Sequence, residues 1–289
     1  MVKKYGDLYL QARRALLPTE GENAAAAARE LLAFASGKSV AAVLADANLY
    51  ASEQIEADLN GYVNRMLAHE PLPYILGQWN FYGISLEVTP DVLIPRDDTM
   101  AVTDLALEVL RTGHPSPRVF DLCCGSGCIA CAIANELPAA RVVAADISPS
   151  ALEVCRKNIK DNKLTSRIIP MNADATTWPP MSIGSFDVIV SNPPYIPSFE
   201  LIELDCSVRD YEPMTALDGG EDGLDFYRAI IKYWTITMRP NGLMMFEVGE
   251  GQADEVKMML LKAGFVSVEG RNDTLGFERV VIGKWKNEF

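Results

Sequence analysis

The chain has 289 residues, 49% of them hydrophobic and 22% charged, with a formal net charge of −13. That is room for one sizeable domain and a small one in an ordinary globular chain. The acidity argues against bulk DNA or RNA as a direct partner, because phosphate contacts call for a basic surface. No apolar run approaches the ~18 residues that span a bilayer. Asp7, Gln11, Arg13 and Arg14 interrupt any leader-like apolar core, and the six cysteines read as reduced thiols. A cytoplasmic monomer that touches no membrane is the expectation.

Residues 1–77 read as a small all-helical domain. Leu8, Leu10, Ala12, Ala15, Leu16 and Leu17 predict a first helix stopped by Pro18. Thr19-Glu20-Gly21-Glu22 has capping-box spacing ahead of the Ala24–Ala28 run, and Ser36-Gly37 closes that second helix. A short helix over Val40–Leu44 follows. Ile55, Leu59, Tyr62, Val63, Met66 and Leu67 recur at helical spacing behind Ser52, a candidate N-cap. Pro71 and Pro73 begin a linker. Phe81–Val88 alternates as a strand, Thr89-Pro90-Asp91 turns, and Val92-Leu93-Ile94 returns, which predicts a β-hairpin in a linking segment, 78–96. Pro95-Arg96-Asp97-Asp98-Thr99 opens a helix to about Arg111, with acids at its start to match the dipole.

From Arg118 strands and helices alternate, the mark of a parallel sheet covered on both faces. Strands are expected at 118–122, 141–146, 167–171, 186–191 and 243–248, and helices at 127–137, 149–162, 223–238 and 252–263. Val266–Glu269 and Val280–Trp285 complete the sheet as an antiparallel edge pair. This α/β pattern resembles the seven-stranded, Rossmann-like sheet of class I S-adenosylmethionine-dependent methyltransferases. The catalytic domain is expected to run from 97 to 289.

Val119–Leu122 leads into Cys123-Cys124-Gly125-Ser126-Gly127 and then a helix. Gly125 and Gly127 let backbone pass close to a ligand, and the helix N-terminus behind them favours an anionic group. Asp146 ends the next strand, where a carboxylate can accept from both ribose hydroxyls. The same residues fit the dinucleotide pattern G-x-G-x-x-A, so on this stretch a dehydrogenase stays open. Asp174 is either an adenine contact or an ordinary loop acid. Cys123, Cys124, Cys128 and Cys131 straddle a strand end and a helix face, a spacing that favours small buried hydrophobes over a metal site. His69 and His114 precede prolines in polar linkers and read as surface residues. Arg156, Lys157, Lys160, Lys163 and Arg167 read as a solvated face.

Phe186–Val190 is a short apolar strand that runs into Ser191-Asn192-Pro193-Pro194-Tyr195. Each proline forces the residue before it to be extended, and neither has an N–H to give a neighbouring strand. The carbonyls of Asn192 and Pro193 are therefore available, beside the Tyr195 ring, to hold a planar –NH2 group.

Asn-Pro-Pro-Tyr downstream of Asp-x-x-x-Gly-x-Gly resembles methyltransferases acting on the –NH2 of adenine, cytosine or glutamine. Pro71–Gly77, Phe81-Tyr82-Gly83 and Val88–Arg96, with Tyr211-Glu212-Pro213, Ala216-Leu217, Gly219-Gly220 and Asp222–Arg228, narrow the resemblance to the bacterial release factor glutamine methyltransferases, the PrmC or HemK family. It covers nearly the whole chain.

The resemblance implies methyl transfer from S-adenosylmethionine, leaving S-adenosylhomocysteine, to the glutamine of the Gly-Gly-Gln tripeptide of release factors. It places the methionine end of the cofactor over Cys123, Cys124, Gly125, Ser126 and Gly127, and the ribose on Asp146, with Asp174 and Asn192 also in contact. Asn192 and the Pro193 carbonyl take the two amide hydrogens, with Pro194 and Tyr195 beside the substrate. Residues 1–77 become a candidate docking domain for the release factor. The chain departs from the family at Cys123, normally glycine, at Asp98, normally a longer acid, and at Ala175, often aromatic, for which Trp178 is a candidate substitute. Rival readings are an adenine amino-methyltransferase, a ribosomal-protein glutamine methyltransferase and a non-catalytic binding module.

Overall fold

The computed structural model describes residues 2–113, 115–273 and 275–286. The chain forms two compact units, Met1–Gly77 with Cys206–Tyr211, and Gln78–Asp205 with Glu212–Phe289.

The first unit holds α1 (Tyr5–Glu20), α2 (Ala24–Ser36), α3 (Val40–Ala45), α4 (Glu53–Leu67) and α5 (Leu72–Leu76). Leu8, Leu16, Leu31, Leu32, Leu59 and Val63 form its own core. Ser39 and Ser52 cap α3 and α4 by accepting from the backbone N–H of Ala42 and Ile55, and Gly37 ends α2 in the left-handed conformation.

Pro18 does not stop α1, which runs on to Glu20 and ends at Gly21 with φ 54°. A proline in the last turn removes one hydrogen bond and leaves the rest of the ladder intact. The expected capping box is absent, because the Thr19 hydroxyl donates back to the Leu16 carbonyl and a 3₁₀ turn over Gly21–Asn23 joins the two helices. Pro71 and Pro73 begin α5 and not an open linker, because they fall at positions whose N–H groups have no partner inside a helix.

In the second unit β1 (Gln78–Phe81) pairs antiparallel with β2 (Ile84–Glu87). The hairpin is there, but its turn lies at Tyr82-Gly83 and Val92–Ile94 is not a strand. Tyr82 and Gly83 both have positive φ, 50° and 76°, as tight two-residue hairpin turns require. The helix α6 (Thr99–Thr112) follows, with Asp97 and Asp98 just ahead of it.

The sheet is then laid down by β3 (Arg118–Leu122), α7 (Cys128–Glu136), β4 (Arg141–Asp146), α8 (Pro149–Asp161), β5 (Ile168–Asn172) and β6 (Phe186–Ser191). The short α9 (Cys206–Arg209) belongs to the first unit, where Tyr211 donates its hydroxyl to the Ala68 carbonyl at 2.6 Å. The second unit closes with α10 (Asp225–Trp234), β7 (Met238–Glu247), α11 (Ala253–Lys262), β8 (Phe265–Asn272) and β9 (Glu278–Trp285). The seven strands lie in the order β5-β4-β3-β6-β7-β9-β8, parallel except at β9.

One side chain ties hairpin, helix and loop together. Asn158 on α8 is buried, accepts from the Glu87 N–H at 2.6 Å, and donates to the carbonyls of Glu87 and Ser126, each at 3.0 Å. Nearby, Lys157 pairs with Glu87, and the basic run of α8 is otherwise mostly exposed. His69 is exposed, and His114 lies outside the described residues.

Asp121 on β3 is fully buried, and its Oδ2 accepts the Ala130 N–H of α7 at 3.0 Å. Burial holds its carboxyl up to about 8 against that bond, and the nearby Asp146 adds to the rise. The unfolded chain ionises this group near ~4, so the fold retains a proton that the unfolded chain releases. Stability from this residue therefore falls as the pH rises from ~4 to about 8 and is flat above that. Asp121→Asn keeps an acceptor for Ala130 and removes the titration. Its melting temperature relative to wild type should rise between pH 5 and pH 8, and a constant difference in scanning calorimetry would refute this.

Candidate active site

The carboxyl ends of β3, β4 and β6 open into a cavity of about 450 Å³ within the second unit. Strand order reverses between β3 and β6, which is where open α/β sheets place their ligands. Cys123, Cys124, Gly125, Ser126, Asp146, Asp174, Asn192 and Pro194 line it. Gly127, Pro193 and Tyr195 stand outside the wall.

The loop after β3 is shaped by its conformation. Gly125 has φ +51° and nothing within 4 Å of where a Cβ would stand, which leaves an open cradle. Gly127 has φ +78°, and a Cβ there would lie 2.7 Å from the Cys155 sulfur. Cys123 also has positive φ, 63°, where its Cβ costs on the order of 1–2 kcal/mol that glycine would avoid.

Asp146 organises the loop from β4. Its Oδ2 accepts the Gly125 N–H at 2.8 Å and its Oδ1 the Ser148 N–H at 2.9 Å. Burial pushes its carboxyl up while these N–H groups hold it back. Each oxygen keeps lone-pair capacity for a further donor. Asp174 uses Oδ1 to accept from the amide and hydroxyl of Thr176.

Burial pushes the thiols of Cys123, Cys128 and Cys131 up, and Cys124 is raised first by its hydrogen bond to Cys155. They stand as neutral thiols. Among the described residues no cluster of three or more His, Cys, Asp and Glu is arranged to hold a metal.

The segment after β6 is held at each step. The Ser191 hydroxyl donates to the Leu122 carbonyl at 2.6 Å. Asn192 Nδ2 donates to Thr99 Oγ1 at 3.2 Å, a bond in which Oδ1 takes no part. The Tyr195 carbonyl accepts Gln252 Nε2 at 2.8 Å, and its half-buried ring packs on the core under β6 and β7. Burial, then the nearby Glu247, pushes the Tyr195 hydroxyl up to about 12. A Cβ on Gly219 would lie 2.8 Å from the Tyr195 Cα, and one on Gly223 would lie 2.3 Å from its carbonyl oxygen, so this glycine-rich turn presses directly on the segment.

Several wall residues were not singled out as site residues by the sequence. Phe226 at the start of α10 lines the cavity, with Ala173 and Ala175 across the wall. Ala175 is fixed through its carbonyl, which accepts the Trp234 indole N–H at 3.0 Å. Trp178 is not in the wall and instead meets Tyr233 edge-on at 5.0 Å. Arg96 and Thr99 also line the cavity. Arg96 pairs with the buried Glu212, which also accepts the Ile94 N–H at 3.3 Å. Asp98 faces Arg279 at 3.5 Å and not the cavity. For Arg96, Asp98, Thr99, Glu212 and Phe226 the available signal is their membership of the Pro95–Thr99, Tyr211–Pro213 and Asp222–Arg228 motifs.

Known proteins resemble this chain in sequence and in fold. A family described as Methyltransferase small domain matches residues 97–201, and one described as PrmC N-terminal domain matches residues 7–77. The release factor glutamine methyltransferase of Geobacter sulfurreducens is 42% identical over 228 residues, 79% of this chain and 78% of that protein. That of Bradyrhizobium diazoefficiens is 37% identical over 266 residues, 91% of this chain and 89% of that protein. A methyltransferase from Pyrococcus furiosus, 17% identical with a TM-score of 0.53 over 80% of this chain and 100% of its own, shares the fold. Fold and family imply S-adenosylmethionine as cofactor, and the cavity fits it. The Gly125 cradle admits its methionine end, the buried Ser126 hydroxyl has no partner among the described residues, and the Asp146 oxygens can still accept ribose hydroxyls. The seven-stranded sheet, the two matched domains and these two relatives make the chain a member of the release factor glutamine methyltransferase family.

Proposed function

We propose that this protein methylates the side-chain amide nitrogen of the glutamine in the Gly-Gly-Gln segment of peptide chain release factors. The observation that carries the reading is Asn192. Its Nδ2 is tied to Thr99, so its Oδ1 is left for a donor, in a cavity shared with the glycine loop and Asp146.

A primary amide is a weak nucleophile, because its nitrogen lone pair is shared with the carbonyl. In this reading Asn192 Oδ1 and the Pro193 carbonyl accept its two hydrogens, orient the nitrogen and raise its electron density. Pro194 and Tyr195 flank the substrate. Cys123, Cys124, Gly125, Ser126 and Gly127 carry the methionine end of the cofactor, Asp146 the ribose and Asp174 the adenine side. Bound S-adenosylmethionine supplies a methyl group activated by a sulfonium. The chain's task is alignment, which is worth on the order of 7–11 kcal/mol in favourable cases. No strong base is needed, and the released proton passes to the same acceptors or to water. Residues 1–77 serve as the docking domain for the release factor. A cytoplasmic monomer suits this substrate.

Asn192→Ala should lose most methyl transfer while cofactor affinity by calorimetry stays near wild type, and strong residual catalysis would sink the role. Asp146→Ala should weaken cofactor binding, and unchanged affinity would reject the ribose assignment. Deleting residues 1–77 should impair methylation of a release factor far more than cofactor binding, and equal efficiency of the truncated enzyme would reject docking there. Incubation with labelled cofactor and either a release factor or RNA, followed by location of the label, tests the substrate class itself.

A further inference from the structure

One buried acid stands beside the acceptor segment, outside the cavity wall. Glu247 ends β7, one residue past the Ser191–Phe246 pairing that sets β6 against β7, so it stands level with Asn192. It is 1% exposed, and its Oε2 has no hydrogen-bond partner among the described residues. The Thr99 and Asn192 side chains oppose the effect of burial on this carboxyl, and Thr99 Oγ1 accepts from Asn192 Nδ2 at 3.2 Å.

We propose that Glu247 is a positioning residue that, through Thr99, fixes which way round the Asn192 amide stands. The inference rests on reading Asn192 Oδ1 as an acceptor for the substrate amide. An ionised carboxylate has no proton to give. The Thr99 hydroxyl is the group that can donate to it, and a hydroxyl turned that way offers Asn192 only lone pairs. Nδ2 must then turn inward, and Oδ1 is the atom left for the cavity. An asparagine amide has nearly the same shape either way round, so packing alone does not choose between the two. A buried chain of bonds that ends on a carboxylate does, because each bond polarises the next. The reversed amide would present donors to an –NH2 group and turn it away.

The surroundings set where this control operates. Burial pushes the Glu247 carboxyl up to about 7, and Asp98 at the start of α6 adds to the rise. Arg279 on β9 and the Thr99 and Asn192 side chains oppose it. Tyr195 after β6, Cys128 on α7 and Tyr227 on α10 also face it, the last donating its hydroxyl to the Glu247 carbonyl at 3.0 Å. Below about 7 the neutral acid carries an O–H that can donate to Thr99 and release the amide to turn. Turnover should therefore fall as the pH drops through that value.

Glu247→Gln keeps the shape but adds a donor. On a release factor its kcat should drop on the order of 100-fold, as for a misplaced catalytic group, while cofactor affinity holds and the acid limb disappears from the residual activity. Thr99→Val should lose turnover similarly, and Thr99→Ser, which restores the hydroxyl, should recover it. Wild-type kcat and an unchanged pH profile in Glu247→Gln would overturn the proposal, as would a fully active Thr99→Val. Where Glu247→Gln fails to fold by circular dichroism, the contrast between the two Thr99 variants decides. A wild-type enzyme that methylates no release factor removes the proposed function and this inference together. An active wild type with unaffected variants removes this inference alone.

Discussion

The register of β3 against β6 is the constraint on which the site depends. Leu122 pairs with Ser191, and the Ser191 hydroxyl locks the same two strand ends through the Leu122 carbonyl. The cofactor-side loop begins at the next residue of β3 and the acceptor segment at the next residue of β6. Two loops more than sixty positions apart in the chain thus leave neighbouring strands at the same height. A slip by one residue would turn every side chain of β6 to the other face and separate the two loops.

Four acids in and around the site, Asp146, Glu212, Glu247 and Asp121, have different environments. Asp146 is stabilised by backbone N–H groups and keeps capacity toward the cavity. Glu212 is buried, but Arg96 offsets the cost, and the pair fixes the strap that carries Arg96 into the cavity wall. Glu247 and Asp121 have weaker compensation, and burial holds them at about 7 and about 8. Such groups cost stability at neutral pH, and their retention fits positions where side-chain direction matters more than packing.

Much of the second unit was legible from local pattern. β3, β4 and β6 match their apolar runs residue for residue, because strands buried on both faces read as short continuous hydrophobic stretches. The failures share a cause. Pro18, Pro71 and Pro73 were read as breaks because position within a turn, which decides what a proline costs, is not visible in composition. The hairpin turn falls earlier than the alternation predicts, because Tyr82 adopts a positive φ that tyrosine rarely shows. Asn192, Asp146 and the glycine loop were recoverable from motifs. Phe226 and Thr99 lay inside motifs with nothing local to mark them as wall residues, and Glu247 lay in none, as the acid that closes the apolar Leu243–Phe246 run of β7.

The Asn158 clamp bears on the order in which the molecule matures. Its partners Glu87 and Ser126 lie 71 and 32 positions away along the chain, so their bonds form only after two sizeable loops of chain have closed. Parallel pairing of the strands does not require that closure at the hairpin. A second unit with its sheet assembled but its hairpin undocked would leave the Asn158 side chain, which donates to the Ser126 carbonyl, without the two Glu87 bonds that help to hold it there. Competence to bind is then a late, non-local acquisition in folding, distinct from the collapse of the core beneath it.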